Sequence, residues 1–313
     1  MDKVSVIQMV ESLKSLNLER TPDCVIEKML EPLFYFPLVH LEIQKGTIAV
    51  RTRIMDSERI FTSLDEISYR TEKTEEIKRG RCNDVGESVF YCSISSSDIK
   101  AIETNYLEVL PDFEKNKNSM IQTVSGRWRF QRNMNILVVG GDRNNPNLCR
   151  VGKDKFKFYD SLKNTPSIDA EYIESVELID SFLSFEFSKR VSEGEEYKYK
   201  ISAIYSRMLR DIGYLGIIYP SVKAKGAGLN LTLSRAAIDE GYLKCDLAIY
   251  SKFSTRERII GNEHLMLANV DQKTLRWYEE YKYILPPKMK KYYSGESDDD
   301  SFMKFIHIQD LGD

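Results

Sequence analysis

Four separated groups of side chains in this sequence are of types that do chemistry. Arg51 and Arg53 alternate along TIAVRTRI, 47–54, and so share one face of a strand. RGRCNDVGE, 79–87, gathers Arg79, Arg81 and Asn83 around two glycines. An arginine fork grips phosphate or carboxylate oxygens through two parallel hydrogen bonds, and glycines let a ligand approach the backbone. Tyr91 and Glu103 lie on a strand-to-helix unit, and GIIYPS, 216–221, carries Tyr219 and Ser221 to the end of an apolar run. A carboxylate at the edge of an apolar stripe is poorly solvated and needs a partner or a task. Anion binding beside a carboxylate is the chemistry on offer, and no single group specifies a reaction.

The elements that must position these residues follow from periodicity. Residues 1–45 read as helical, with Val25, Met29, Leu30 and Leu33 at helical spacing after Thr21-Pro22-Asp23, until Pro37 breaks the pattern. A strand over 47–54 turns Ile48, Val50, Thr52 and Ile54 to one side, a charged loop spans 69–87, and SVFYCSI, 88–94, is a second strand. Ser95 to Asp98 offer caps for a helix whose apolar stripe is Ile99, Ile102, Tyr106, Leu107 and Leu110, with Glu103 at its boundary. MNILVVGG and KFKFYD read as further β structure, 168–190 and 198–212 as helices, and 213–221 and 226–234 as strands. A helix is expected over 271–283, and ESDDDS, 296–301, is a charge run expected to stay solvated.

Composition removes several function classes. Among 313 residues, 45 Lys+Arg oppose 48 Asp+Glu, so the net charge of −3 supplies no general attraction to nucleic acid. Apolar residues at 42% and charged residues at 30% fit a folded globular chain. No apolar run is long enough for a signal peptide or a membrane span, so a cytoplasmic protein is expected. Five scattered cysteines fit reduced thiols, and three histidines with neither HExxH nor CxxC argue against a metal site. No GxSxG elbow supports a serine hydrolase. GRWRF, 126–130, and the arginine-aromatic run through Arg132 are read as an alternating strand, not a nucleic-acid platform.

The order of the boxes VRTR (50–53), GRCNDVG (80–86), VFY (89–91), AIE (101–103), GIIYPS (216–221) and GAGLNLTL (226–233) resembles the RES-domain family, over roughly 48–234. Two departures stand out: Cys82 where an aromatic or small residue is usual, and Val222-Lys223 where arginine often follows YPS. The resemblance implies an α+β, ADP-ribosyltransferase-like fold, with a mixed β core and surrounding helices, that binds NAD as a substrate. It implies a RES-like catalytic core over 46–244, and leaves an N-terminal helical addition over 1–45 and a C-terminal addition over 245–313 outside the resemblance. Family members act as toxins of toxin–antitoxin pairs that break the nicotinamide glycosidic bond of NAD.

In that reading Arg81, Tyr91, Glu103 and Ser221 are the catalytic candidates, and Arg51, Arg53, Asn83 and Tyr219 are the NAD-binding ones. Glu103 stabilises positive charge on the ribose. Arg81 and Arg51 hold the pyrophosphate, Tyr91 stacks on a ring, and Ser221 orients the nicotinamide ribose or carboxamide. ADP-ribose passes to water, to phosphate or to a specific protein. The implied partners are an antitoxin protein and a second copy of the chain, with no metal. The competing readings are a catalytically inactive nucleotide- or protein-binding module and ordinary structural roles: core packing for Tyr91, a turn for Ser221, an Asx turn for Asn83 and solvent for Arg79.

Overall fold

A computed structural model describes residues 3–55, 59–96, 99–110, 120–141, 143–145, 149–256 and 259–278. Helix α1 (Lys3–Lys14) buries Val6, Val10 and Leu13 along one face. Helix α2 (Asp23–Leu30) starts behind Pro22 and buries Ile26 and Leu30 before a 3-10 turn over Glu31–Tyr35. The expected helix over 1–45 ends there, because His40–Ile43 is a strand, β1. Helices α3 (Ala101–Val109), α4 (Arg150–Lys163), α5 (Ala170–Ser188) and α6 (Lys200–Asp211) follow, with a short α7 (Arg235–Asp239).

KFKFYD belongs to α4 and corrects the expected strand. The residues buried there, Gly152, Lys155, Phe156 and Tyr159, recur at three- and four-residue spacing, which the short alternation of that segment conceals.

The strands are β2 (Ile48–Ile54), β3 (Phe90–Ile94), β4 (Met120–Phe130), β5 (Met134–Val138), β6 (Gly216–Pro220), β7 (Leu229–Leu233), β8 (Leu243–Arg256), β9 (Ile259–Asp271) and β10 (Thr274–Trp277). They form one ten-stranded mixed sheet in the order β1-β5-β6-β7-β3-β2-β4-β8-β9-β10, in which β5 and β6 run parallel and every other pair antiparallel. The chain is therefore an α+β protein. Residues 271–278 continue the sheet instead of forming the expected helix. Gln272 takes a positive φ of 53° at the turn, and Leu275 is buried with Trp277 half-buried on alternate positions. The remainder of that expected helix and the acidic run at 296–301 lie outside the described residues.

Alternation along the central strands separates two apolar faces. Tyr91, Leu137, Ile217 and Tyr219 join α1, α2, α4, α5 and α6 in one cluster. Phe90, Cys92, Ile136, Ile218 and Leu231 join Trp128, Cys245 and Ala268 in the other. The N-terminal helices therefore share the main core, and β8 to β10 prolong the sheet. Among the described residues no helix is long and apolar enough to cross a membrane. All five cysteines are free thiols, four of them buried.

Candidate functional site

The carboxylate that meets the other candidate residues is Glu108. Its Oε1 accepts hydrogen bonds from Ser221 Oγ at 2.5 Å and from Asn230 Nδ2 at 2.7 Å. Glu103 instead accepts the Lys100 backbone N–H at 3.0 Å, closing the start of α3, while Ser95 Oγ accepts the Ala101 N–H. Five residues along a helix turn a side chain by about 140°, so the two glutamates face different ways. The AIE spelling drew the reading to Glu103. The usable signal was a polar row, Thr104, Asn105 and Glu108, beside the apolar one; Thr104 and Asn105 are buried.

A one-directional chain of hydrogen bonds fixes Glu108. Thr52 N–H donates to Asn105 Oδ1 (2.6 Å), and Asn105 Nδ2 donates to Ser93 Oγ (3.0 Å). Ser93 Oγ donates to Asn230 Oδ1 (3.1 Å), whose amide then reaches Glu108. Ser93 and Asn230 are register partners across β3 and β7. Because each group donates to the next, the amides and hydroxyl are locked in one orientation, which strengthens the final bond to the carboxylate.

Glu108 Oε2 has no hydrogen-bond partner among the described residues. Lys223 Nζ donates to the carbonyls of Glu108 and Leu110, satisfying the end of α3 where the helix dipole favours a cation. A Cβ at Gly228 would lie 2.4 Å from Thr104 Oγ1, so only glycine lets the 221–228 loop close onto α3. Ser221 is fully buried, and its Oγ also accepts the Ala224 N–H.

Arg81 stands over two aromatic rings, 5.3 Å from the centroid of Tyr199 and 5.6 Å from that of Tyr219. Its Nη2 donates to the Lys189 carbonyl at 2.9 Å, and its buried Nε has no partner. Among the described residues no carboxylate is within ion-pairing distance of it. Burial works against its charge, and Tyr219, Tyr199 and Glu108 more than offset that, so its pKa lies above the ordinary arginine value. Tyr199, just ahead of α6, carries no signal in the sequence, because nothing in EYKYK distinguishes it from its neighbours.

The loop that carries Arg81 is clamped by ions. Arg79 pairs with Asp23 and Asp84, and its side chain is 11% exposed, which corrects its expected solvent role. Arg207 joins Asp84 to Glu27, and Arg210 binds Glu87 at 2.6 Å while donating to the Cys82 carbonyl. From inside, Tyr91 Oη accepts the Cys82 N–H at 2.8 Å and donates to Asn83 Oδ1 at 2.9 Å. Asn83 returns its amide to the carbonyls of Lys78 and Asp84. A Cβ on Gly80 would lie 2.4 Å from Asn83 Oδ1. Asn83 and Tyr91 thus shape the loop with the groups the sequence offered for ligand contact. Burial raises the Tyr91 and Tyr219 hydroxyls well above the usual tyrosine pKa, so both stay neutral near pH 7.

Arg51 is spent on the framework. Its Nε donates to Ser68 O at 3.1 Å, its Nη1 to Tyr91 O at 2.7 Å, and it stands over the Phe90 ring. Burial, with Arg53 beside it, lowers its pKa to about 10. Arg127 and Arg129 both pair with Asp246 on the neighbouring strand, as an ordinary alternating strand requires.

The structure therefore gathers Arg81, Tyr219, Ser221 and Glu108 with Tyr199 and Asn230. It sets Tyr91 and Asn83 behind them, Arg51 and Arg53 on β2, and Glu103 apart at the helix start. No protein-family model matches the chain, and no curated protein matches it. Among the described residues no three His, Cys, Asp or Glu side chains come together as a metal cluster.

Proposed function

We propose that this chain breaks the nicotinamide glycosidic bond of NAD and passes ADP-ribose to water or phosphate, as an enzyme of the RES type with an ADP-ribosyltransferase-like core. One observation carries the reading: a half-buried arginine, with its Nε enclosed and unpartnered and no carboxylate within ion-pairing distance among the described residues, stands close to an oriented glutamate that keeps one oxygen free. A half-buried cation with an enclosed, unpartnered N–H suits an anionic ligand.

In this mechanism Arg81 holds the pyrophosphate of NAD beside the rings of Tyr199 and Tyr219. The bond from ribose C1′ to the pyridinium nitrogen breaks, and its electron pair leaves with neutral nicotinamide. Positive charge spreads over C1′ and the ring oxygen, where the free oxygen of Glu108 stabilises it electrostatically. Water or phosphate then bonds to C1′ through an oxygen lone pair; when water attacks, Glu108 is the group placed to take the released proton. Ser221 and Asn230 act through Glu108, so Ser221 orients the carboxylate in place of the ligand contact expected of it.

Purified protein freed of copurifying chains, mixed with NAD, tests this through nicotinamide release and product mass. ADP-ribose or its 1″-phosphate is the expected product; absence of release with and without phosphate contradicts the proposal.

A further inference from the structure

A cavity of about 330 Å³ opens beside the site, walled by Asn145, Ser184, Arg190, Pro220, Ser221 and Lys225. It meets the proposed reaction centre through Ser221. Ser221, in its wall, donates to Glu108, and Arg190 follows Lys189, whose carbonyl takes the hydrogen bond of Arg81. At the lower end of the small-molecule range, this volume suits one phosphate-bearing fragment and not a whole dinucleotide.

Its electrostatics are one-sided. Arg190 and Lys225 are both exposed into solvent, and neither side chain has a hydrogen-bond or ion-pair partner among the described residues. No carboxylate lines the cavity among the described residues. The arginines at 79, 127, 129, 143, 207 and 210, by contrast, each meet an acid. Two unpaired cations in the wall of one small cavity suit a ligand carrying two negative charges at one point. A phosphomonoester does so near neutral pH, because its second pKa is about 6, and a guanidinium can hold two of its oxygens at once.

We propose that this cavity is a subsite for a phosphoryl dianion, formed by Arg190 and Lys225 and distinct from Arg81. Its place beside a reaction centre rests on the NAD reading; the subsite itself does not. Two sources share the chemistry: a phosphomonoester on the nucleotide, such as a ribose 2′-phosphate, and free phosphate.

Calorimetric titration of the full chain with inorganic phosphate, ADP-ribose and 2′-phospho-ADP-ribose tests the subsite without turnover, using the wild type, Arg190→Ala, Lys225→Ala and Arg81→Lys. Both alanine variants, at exposed positions, are expected to weaken phosphate binding about tenfold. The binding should also weaken with added salt. A preference for 2′-phospho-ADP-ribose over ADP-ribose that both alanine variants abolish identifies the ester as the source. Phosphate binding without that preference identifies free phosphate. If ADP-ribose fails to bind while phosphate still depends on Arg190 and Lys225, the NAD reading falls and the subsite stands. The proposal is overturned if the wild type binds neither phosphate nor the ester preferentially, or if phosphate binding survives both alanine variants and is lost only with Arg81→Lys.

Discussion

Ser221 at the end of β6 donates its hydroxyl proton to Glu108 on α3, 2.5 Å away, and Asn230 on β7 donates to the same oxygen. Two adjacent strands thus aim one helical carboxylate, whose second oxygen has no hydrogen-bond partner among the described residues. The pair acts as a unit, so Ser221→Ala and Asn230→Ala should each reduce turnover, and the double variant should lose less than the sum. A double-mutant cycle on nicotinamide release should show coupling of about 0.5–3 kcal/mol. Strict additivity would mean that the two do not act through Glu108.

Arg81 should impose a cost on the fold that its ligand relieves. It is half-buried, with its Nε enclosed and unpartnered and no carboxylate beside it among the described residues, so Arg81→Met should leave the melting temperature unchanged or raise it, by roughly 1–2 kcal/mol of stability, while ADP-ribose binding falls. Thermal unfolding and calorimetry on one preparation check both halves. A marked loss of stability would instead make Arg81 part of the framework, as Arg51 is.

Much of this was legible beforehand, and the misses have physical reasons. The strands bearing Arg51, Tyr91 and Tyr219 and the helices α5 and α6 follow from periodicity and fall within the expected spans. KFKFYD misled because six residues fit two periods. Glu108 was passed over because the helix face meeting β6 and β7 is chosen by long-range packing, with Gly228 against Thr104 deciding the approach. Arg79 looked solvated because both of its acids, Asp23 and Asp84, sit outside any local helical spacing.

The buried ion pair behind the sheet gives a pH signature. Lys155 pairs with Asp180 beneath β5, and burial still raises the Asp180 pKa above its ordinary value. Lys155→Met removes the partner and should cost about 3–5 kcal/mol near pH 7. A carboxyl whose folded pKa exceeds its unfolded one penalises the fold above the folded value, and the penalty vanishes below the unfolded one. The stability gap between Lys155→Met and wild type should therefore narrow as pH falls from 7 toward 4. Urea unfolding at several pH values measures this, and a gap independent of pH would contradict the pairing.

Cysteine reactivity should follow burial. Cys24 is exposed, whereas Cys82 beside Arg81 is fully buried and burial raises its thiol pKa. Alkylation of the native chain at pH 8 should label Cys24 and leave Cys82 unmodified until denaturant is added. Peptide mass mapping reads this directly. Fast labelling of Cys82 would mean that the 79–87 loop opens despite its ion pairs.

The most direct test compares two glutamates on one helix. Nicotinamide release from NAD should be abolished or reduced by about 10²–10⁴-fold in Glu108→Gln. Glu103→Gln, which keeps an oxygen for the Lys100 N–H, should stay within about twofold of wild type. Release by the wild type that is lost in Glu103→Gln and retained in Glu108→Gln would contradict the account.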